Sequence, residues 1–75
     1  MTFLELSRQV TLHEYLATEG DNLQKVARRV YKSTKSIYIR ALVALNKKID
    51  WNYLKSGEIV VYIKQQDLQQ VDESV

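Results

Sequence analysis

The chain contains no cysteine and no proline, and among its 75 residues it has only two glycines and one histidine. Without cysteine there is no disulfide to stabilise so small a domain, and thiolate-based zinc or redox sites are excluded. His13 alone is too few imidazoles for a metal site, so we expect no metal and no cofactor. Because proline is absent, no proline-rich linker divides the chain, and its length predicts a single domain.

Long hydrophobic runs are also missing. The first ten residues include Glu5 and Arg8, and no apolar run is long enough for a signal peptide or a membrane span. We expect the chain to be made in a cytoplasm and to remain there, or to leave as part of a larger assembly, with no membrane partner.

The spacing of the polar residues in the sequence does not indicate an enzyme active site. His13 and Glu14 are adjacent, so in a strand their side chains point to opposite faces. The sequence has no nucleophilic triad and no glycine-rich phosphate loop. We therefore expect the protein not to be an enzyme.

Charge is unevenly distributed although the net value is only +2. Residues 1–22 hold one basic and four acidic residues, residues 23–64 hold ten basic and two acidic ones, and residues 65–75 hold three acidic ones. A basic middle between acidic ends favours an anionic partner or attraction between neighbouring copies.

The middle of the chain carries the structural signals, which divide it into an N-terminal arm or extra strand at 1–9, a folded part at 10–64 and a polar tail at 65–75. A strand is predicted over about 11–18, where β-forming residues alternate with polar ones. Gly20 ends it, and Asp21 with Gln24 suits the start of a helix over about 22–32. Its core face is predicted at i, i+3, i+4 and i+7, which are Leu23, Val26, Ala27 and Val30.

A second helix is predicted over about 35–46, following hydroxyl residues suited to its N-cap and ending at Asn46, which tolerates a left-handed conformation. Its apolar stripe is Tyr38, Ala41, Leu42 and Leu45. Asp50 suits the start of a single turn through Leu54, and residues 58–64 give the strongest strand signal of the chain. The predicted fold class is α+β, with two helices packed on a two-stranded antiparallel sheet.

The order of four short motifs resembles one known family. They are Gly20-Asp21-Asn22-Leu23, Val26-Ala27-Arg28-Arg29, Leu42–Asn46 and Leu54–Val61, and the match covers roughly residues 14–63, most of the chain. In this order they resemble the lysin motif, or LysM, family. That resemblance implies a β-α-α-β fold.

The segment between Ala27 and Asn46 is longer than in typical peptidoglycan-binding LysM domains. It is more similar to the LysM-like structural proteins of contractile bacteriophage tails, such as the tail protein X family and baseplate wedge components. In those proteins the tyrosine that ends the first helix is often followed by glycine, whereas Lys32 follows Tyr31 here, so we expect the turn to differ. The resemblance implies a virion structural protein that docks neighbouring subunits in several copies.

Two surfaces are predicted from the sequence and the resemblance. The apolar residues expected to dock other subunits are Phe3, Leu4, Leu6, Ile39, Val43, Trp51 and Tyr53. In glycan-binding LysM relatives the loops after the first strand and the second helix form a groove. The corresponding residues here are Gly20, Asp21, Asn22, Leu23, Asn46, Lys47, Ile49 and Asp50.

Three functions remain open at this point. The tail or baseplate adaptor leads, a peptidoglycan-binding or glycan-binding module is second, and a small helix-turn-helix DNA-binding protein is third. The last would use the basic residues Arg28, Arg29, Lys32, Lys35 and Arg40. Tyr31 stands where that motif prefers glycine, and residues 58–64 favour a strand over the third helix that the motif needs, so nucleic acid is disfavoured as a partner.

Overall fold

The computed structural model describes residues 2–69, which form an α+β domain with one two-stranded antiparallel sheet. Its elements in chain order are α1 (Phe3–Ser7), β1 (Leu12–Leu16), α2 (Leu23–Tyr31), α3 (Ser36–Leu45), β2 (Ile59–Ile63) and α4 (Gln65–Leu68). Both predicted strands and both predicted helices are present, and each is two or three residues shorter in total than expected. The predicted fold class is therefore confirmed.

The two strands of the sheet come from opposite ends of the predicted folded part. Strand β1 runs antiparallel to β2, with Glu14 opposite Val61 and Leu16 opposite Ile59. Because two strands alone are marginal in water, one face of the ribbon has to be covered. Helix α3 packs against β2, α2 and α1, and so joins the helical layer to the sheet.

The core forms where the helical stripes meet the sheet. Val26 and Ala27 of α2 and Ala41 and Leu42 of α3 are fully buried, as their spacing predicts. Leu23, Val30, Tyr38 and Leu45 flank them and are half-buried. The remaining members of the buried cluster are Leu6, Tyr31, Val60, Ile63 and Leu68.

The start of α2 differs from the prediction by one residue. Asn22, not Asp21, is the N-cap, and its side-chain oxygen accepts a hydrogen bond from the Lys25 backbone amide at 2.9 Å. Asn and Asp are equally good caps, so adjacent candidates compete. Asp21 is held instead by contacts across the turn.

Two other helix ends also differ. Helix α3 begins after Lys35 without a side-chain cap, and the hydroxyl of Ser33 accepts from the Lys35 amide instead. Asn46 follows α3 but at φ −130° and ψ 55°, which is not left-handed. The expected single turn after Asp50 is present as a hydrogen-bonded turn, with the Tyr53 amide donating to the Asp50 carbonyl.

The turn after Tyr31 is made by Lys32. Lys32 lies at φ 58° and ψ 26°, the left-handed conformation that glycine adopts without steric cost. The turn therefore keeps the backbone that glycine favours, and a lysine accepts the strain.

Both ends of the described chain are more structured than the sequence predicts. Residues 3–7 form a helix rather than a strand or a free arm, with Thr2 as N-cap and Leu6 fully buried. Residues 65–68 form α4, and its Leu68 is also buried, so this part is not a frayed tail. Each end contributes one leucine to a thin core, a contribution that periodicity over so few residues does not reveal. The rest of the predicted polar tail, 70–75, lies outside the described residues.

Candidate docking surface

Asp21, the acidic residue of the Gly20–Leu23 turn, is buried and faces its own chain. Its Oδ2 accepts hydrogen bonds from the Thr18 backbone amide at 2.8 Å, the Tyr15 hydroxyl at 2.9 Å and the Thr18 hydroxyl at 3.1 Å. Its Oδ1 lies 3.3 Å from Nη1 of Arg29, which also donates to the Tyr15 hydroxyl at 2.7 Å. This network joins the end of β1 to the last turn of α2.

The electrostatics of the turn keep Asp21 ionised. Burial by itself raises the pKa of Asp21, but the Thr18 amide, the Tyr15 and Thr18 hydroxyls and the Arg29 guanidinium outweigh it and lower the pKa below its usual value. The hydrogen bond to Tyr15 and the charge of Asp21 raise the pKa of Arg29. Because both carboxylate oxygens have protein partners, Asp21 serves as a structural link and not as a free ligand for sugar.

Asn46 is likewise turned inward. Its Nδ2 donates to the carbonyl oxygens of Leu42 and Val61, both at 2.8 Å, and its Oδ1 accepts from the Val61 amide at 2.8 Å. All three bonds go to backbone groups, as the side chains of Asn often do near the ends of helices. The asparagine therefore has no amide group left for a ligand.

The residues of the predicted LysM groove are distributed over two grooves and the turn at 20–23. Lys47 and Ile49, with Asn46, line a groove of about 410 Å³ that also contains Leu4 and Ile59. Asp50 lines a different groove, of about 650 Å³. Residues 20–23 line neither of the two, and within this turn Gly20 takes φ +86° as a turn requires while Leu23 packs on the core.

The larger groove places an aromatic ring beside charged groups. Tyr53 is 71% exposed, and it shares the groove with Lys48, Asp50, Lys55 and Glu58. The two carboxylates already accept backbone hydrogen bonds, from the Asn52 and Lys55 amides respectively. Tyr53 thus presents an exposed aromatic ring in this groove.

The predicted docking residues are divided by the structure. Leu6 is fully buried in the core, which contradicts its assignment to an exposed surface. Phe3, Ile39 and Trp51 are half-buried against the same core. Among residues 2–69, the indole Nε1 of Trp51 is the one buried side-chain polar atom without a hydrogen-bond partner. The other members of the predicted set, Leu4, Val43 and Tyr53, are exposed.

A second exposed apolar surface was missed by the sequence reasoning. Leu16 and Ile59 are opposite each other in the sheet and are 62% and 52% exposed, and Leu12 on the same face of β1 is 42% exposed. We call these three residues the open sheet face. Strand alternation, which places Leu12 and Leu16 on one face of β1, was the signal that could have found it. Ile63 is opposite Leu12 on the same face but is fully buried, so the exposed surface ends there.

Some of the basic residues considered for DNA binding have partners within the chain. Arg29 belongs to the Asp21 network, and Arg40 Nε donates to the Ser36 carbonyl at 3.4 Å. Lys32 occupies the strained turn, whereas Arg28 and Lys35 are exposed. After α3 the chain continues into β2, where a helix-turn-helix domain has its third helix.

Comparison with protein-family models, with curated proteins and with solved structures found no match. The function is therefore argued from geometry. Over residues 2–69, no group of three or more His, Cys, Asp or Glu side chains is arranged to hold a metal ion. In the same part of the chain, no helix combines the length and apolar character needed to cross a bilayer.

Proposed function

We propose that this protein is a LysM-like structural subunit of a contractile phage tail or baseplate that docks neighbouring subunits through apolar surface. The observation that carries the proposal is the open sheet face. Leu16 and Ile59 are exposed side by side, and Leu12 is exposed on the same face beyond Glu14, on a domain whose core is thin; exposed apolar surface of this kind marks interaction sites.

The inward orientation of the motif residues supports the same proposal. In the groove of a glycan-binding LysM domain, the turn after the first strand and the loop after the second helix supply the ligand contacts. Here the side-chain polar atoms of Asp21 and Asn46 form hydrogen bonds with backbone and side-chain groups of the same chain. Their roles in this domain are to fasten the turn and the second strand, which leaves apolar surface as the main recognition feature.

The setting in a tail or baseplate comes from the resemblance and is tested with particles. Tail particles purified from cells that produce them should contain this chain at a fixed copy number per particle, measured by quantitative mass spectrometry. The double variant Leu16→Lys/Ile59→Glu, which keeps an attractive cross-strand pair, should fold but be lost from particles. The matched variant Gln24→Asp, at an exposed position of α2, should be incorporated normally. Finding the unmodified chain only outside particles would reject the proposal.

Binding to peptidoglycan is the second candidate, and the exposed ring of Tyr53 favours it. An aromatic ring beside polar groups can stack on a sugar ring, and Tyr53 lies in the 650 Å³ groove with Asp50 and Lys55. A pull-down on insoluble cell wall separates the two candidates. Retention of the chain that is lost in Tyr53→Ala, but kept in Leu16→Lys/Ile59→Glu, would favour the glycan-binding function over subunit docking.

A further inference from the structure

The two edges of the sheet are built differently, and the outer edge of β2 is closed. Asn46 occupies both the amide and the carbonyl of Val61, each at 2.8 Å. Two residues further along, the hydroxyl of Tyr31 donates to the Ile63 carbonyl at 2.7 Å. Side chains therefore occupy both outward backbone groups at the centre of this edge and one at its end, and a strand pairing along it would have to displace them.

The outer edge of β1 is open. Glu14 is opposite Val61, and the Val61 backbone groups point away from β1 toward Asn46, so this is a non-hydrogen-bonded pair. The Glu14 amide and carbonyl must then point away from β2, and those of Leu12 and Leu16 do the same because the pattern repeats every two residues. Within residues 2–69, nothing donates to or accepts from these outward groups.

The side chains of Leu12, Glu14 and Leu16 point to the side of the sheet that carries the open sheet face. Leu12 and Leu16 flank Glu14, and Leu16 adjoins Ile59 across the sheet. A strand added beside β1 would therefore gain backbone hydrogen bonds and, with every second side chain, cover exposed aliphatic surface. This combination is the basis of recognition by strand addition.

The charge of the edge selects among possible strands. Residues 9–22 contain no Lys or Arg, and the acidic residues among them are Glu14, Glu19 and Asp21, the last of which is paired with Arg29. If β1 of a second copy paired symmetrically about Glu14, the two carboxylates would be directly opposite, which destabilises a sheet. A basic side chain opposite Glu14 would instead form an attractive cross-strand pair.

We propose that the open edge of β1 accepts an extended segment of a partner protein in which a basic residue lies between apolar residues at two-residue spacing. This inference rests on the docking role proposed above and specifies how the docking is made. The partner strand places its basic residue opposite Glu14 and its two apolar residues over Leu12 and Leu16. The closed edge of β2 limits the addition to one strand on one side.

The test uses the full chain and a capped peptide, Thr-Val-Thr-Lys-Thr-Val-Thr, with a control peptide in which Glu replaces Lys. Each peptide is titrated into the protein, and hydrogen exchange of the backbone amides is followed by NMR. Bound peptide should protect the amides of Leu12, Glu14 and Leu16 from exchange and leave the exchange rate of the Val61 amide unchanged. The Lys peptide should bind about tenfold more tightly than the Glu peptide, and Glu14→Lys should reverse that preference.

Glu14→Pro is the edge-blocking variant, because the amide it removes points away from β2 and proline is tolerated at such edge positions. It should abolish peptide binding, while Glu14→Thr keeps the amide and retains weakened binding. Circular dichroism checks that each variant is folded, and the charge reversal in Glu14→Lys provides an independent test if the proline variant is unfolded.

Two outcomes would overturn the proposal. If neither peptide protects the amides, strand addition is rejected. The role of Glu14 would then be to prevent edge-to-edge aggregation through its charge. Concentration-dependent dimerisation through β1, detected by light scattering, would assign the edge to a second copy. Peptide binding by a chain that is absent from tail particles would reject the proposed tail function but leave strand addition intact.

Discussion

Asn46 binds Val61 through both backbone groups of that valine, with its side-chain amide donating to the carbonyl oxygen and accepting from the amide nitrogen at 2.8 Å each. The same amide also donates to Leu42 at the end of α3. One side chain thus ends a helix, positions the returning strand and closes an edge of the sheet.

Replacing Asn46 should be among the most damaging polar substitutions in this domain. In Asn46→Ala the amide and carbonyl of Val61 lose their partner in a partly buried position, and we expect a loss of about 2–4 kcal/mol in the free energy of unfolding. Urea denaturation measures it. Asn52→Ala, at an exposed site in the following loop, should change stability by less than about 0.5 kcal/mol. Equal effects at the two asparagines would contradict the assigned role.

The Asp21 network predicts a dependence of stability on acid pH. Because the pKa of Asp21 is lower in the folded chain, its contribution is complete above the ordinary value near 4 and is lost as pH falls through the folded pKa. Asp21→Asn should therefore be less stable than the unmodified chain at pH 7, by about 1–3 kcal/mol.

That difference should shrink as pH falls below about 4, where the unfolded carboxylate binds a proton that the folded one does not. Thermal unfolding at a series of pH values checks this. Glu19→Gln, at an exposed position, should follow the unmodified chain throughout. A gap for Asp21→Asn that stays constant down to pH 2 would rule out the linkage.

Tyr31 predicts the opposite dependence at alkaline pH. Burial raises the pKa of Tyr31 well above its ordinary value, and the nearby Tyr62 and Tyr38 rings add to the effect. Its contribution to stability is complete below about pH 10 and declines as pH rises toward the folded pKa.

Tyr31→Phe removes the 2.7 Å hydrogen bond to the Ile63 carbonyl and should cost about 1–3 kcal/mol at pH 7. The cost should become smaller above about pH 10. Tyr53→Phe, at an exposed ring, should have no measurable effect in the same denaturation experiments. If the cost of Tyr31→Phe does not change between pH 7 and pH 11, the assignment of the alkaline transition to this residue is wrong.

The N-terminal helix should contribute to stability and not only to docking. Leu6→Ala removes a fully buried side chain, for which we expect a loss of about 2–4 kcal/mol. Leu4→Ala, two residues away and 45% exposed, should cost less than about 1 kcal/mol. Chemical denaturation of the two variants compares them directly. Near-equal stabilities would mean that α1 is not part of the core in solution.

The strained turn at Lys32 offers a stabilising substitution. Lys32→Gly should be more stable than Lys32→Ala by about 1 kcal/mol, because glycine adopts the left-handed conformation without steric cost. At Arg28, inside α2 and exposed, the order should reverse, with the glycine variant about 1 kcal/mol less stable than the alanine variant. Melting temperatures of the four variants check both comparisons, and the same order at both sites would exclude strain at Lys32.

The long periodic segments were predictable because each has enough residues to display its period. Val26, Ala27, Ala41 and Leu42 are buried where their helical spacing places them. The short terminal helices were not predictable, since five residues at one end and four at the other show barely one turn. Of the candidate surface residues, Leu4, Val43 and Tyr53 are exposed as expected, and Leu6 is not.

Local chemistry in the sequence determined the strand-helix-helix-strand order, the positions of the turns and the fold class, because caps, turn residues and periodicity act over a few neighbouring residues. Tertiary structure alone decided the roles of Asp21 and Asn46, whose partners include residues as far away as Arg29 and Val61. It also decided which face and edge of the sheet remain uncovered. Those properties depend on how distant segments meet, and no local pattern encodes that meeting.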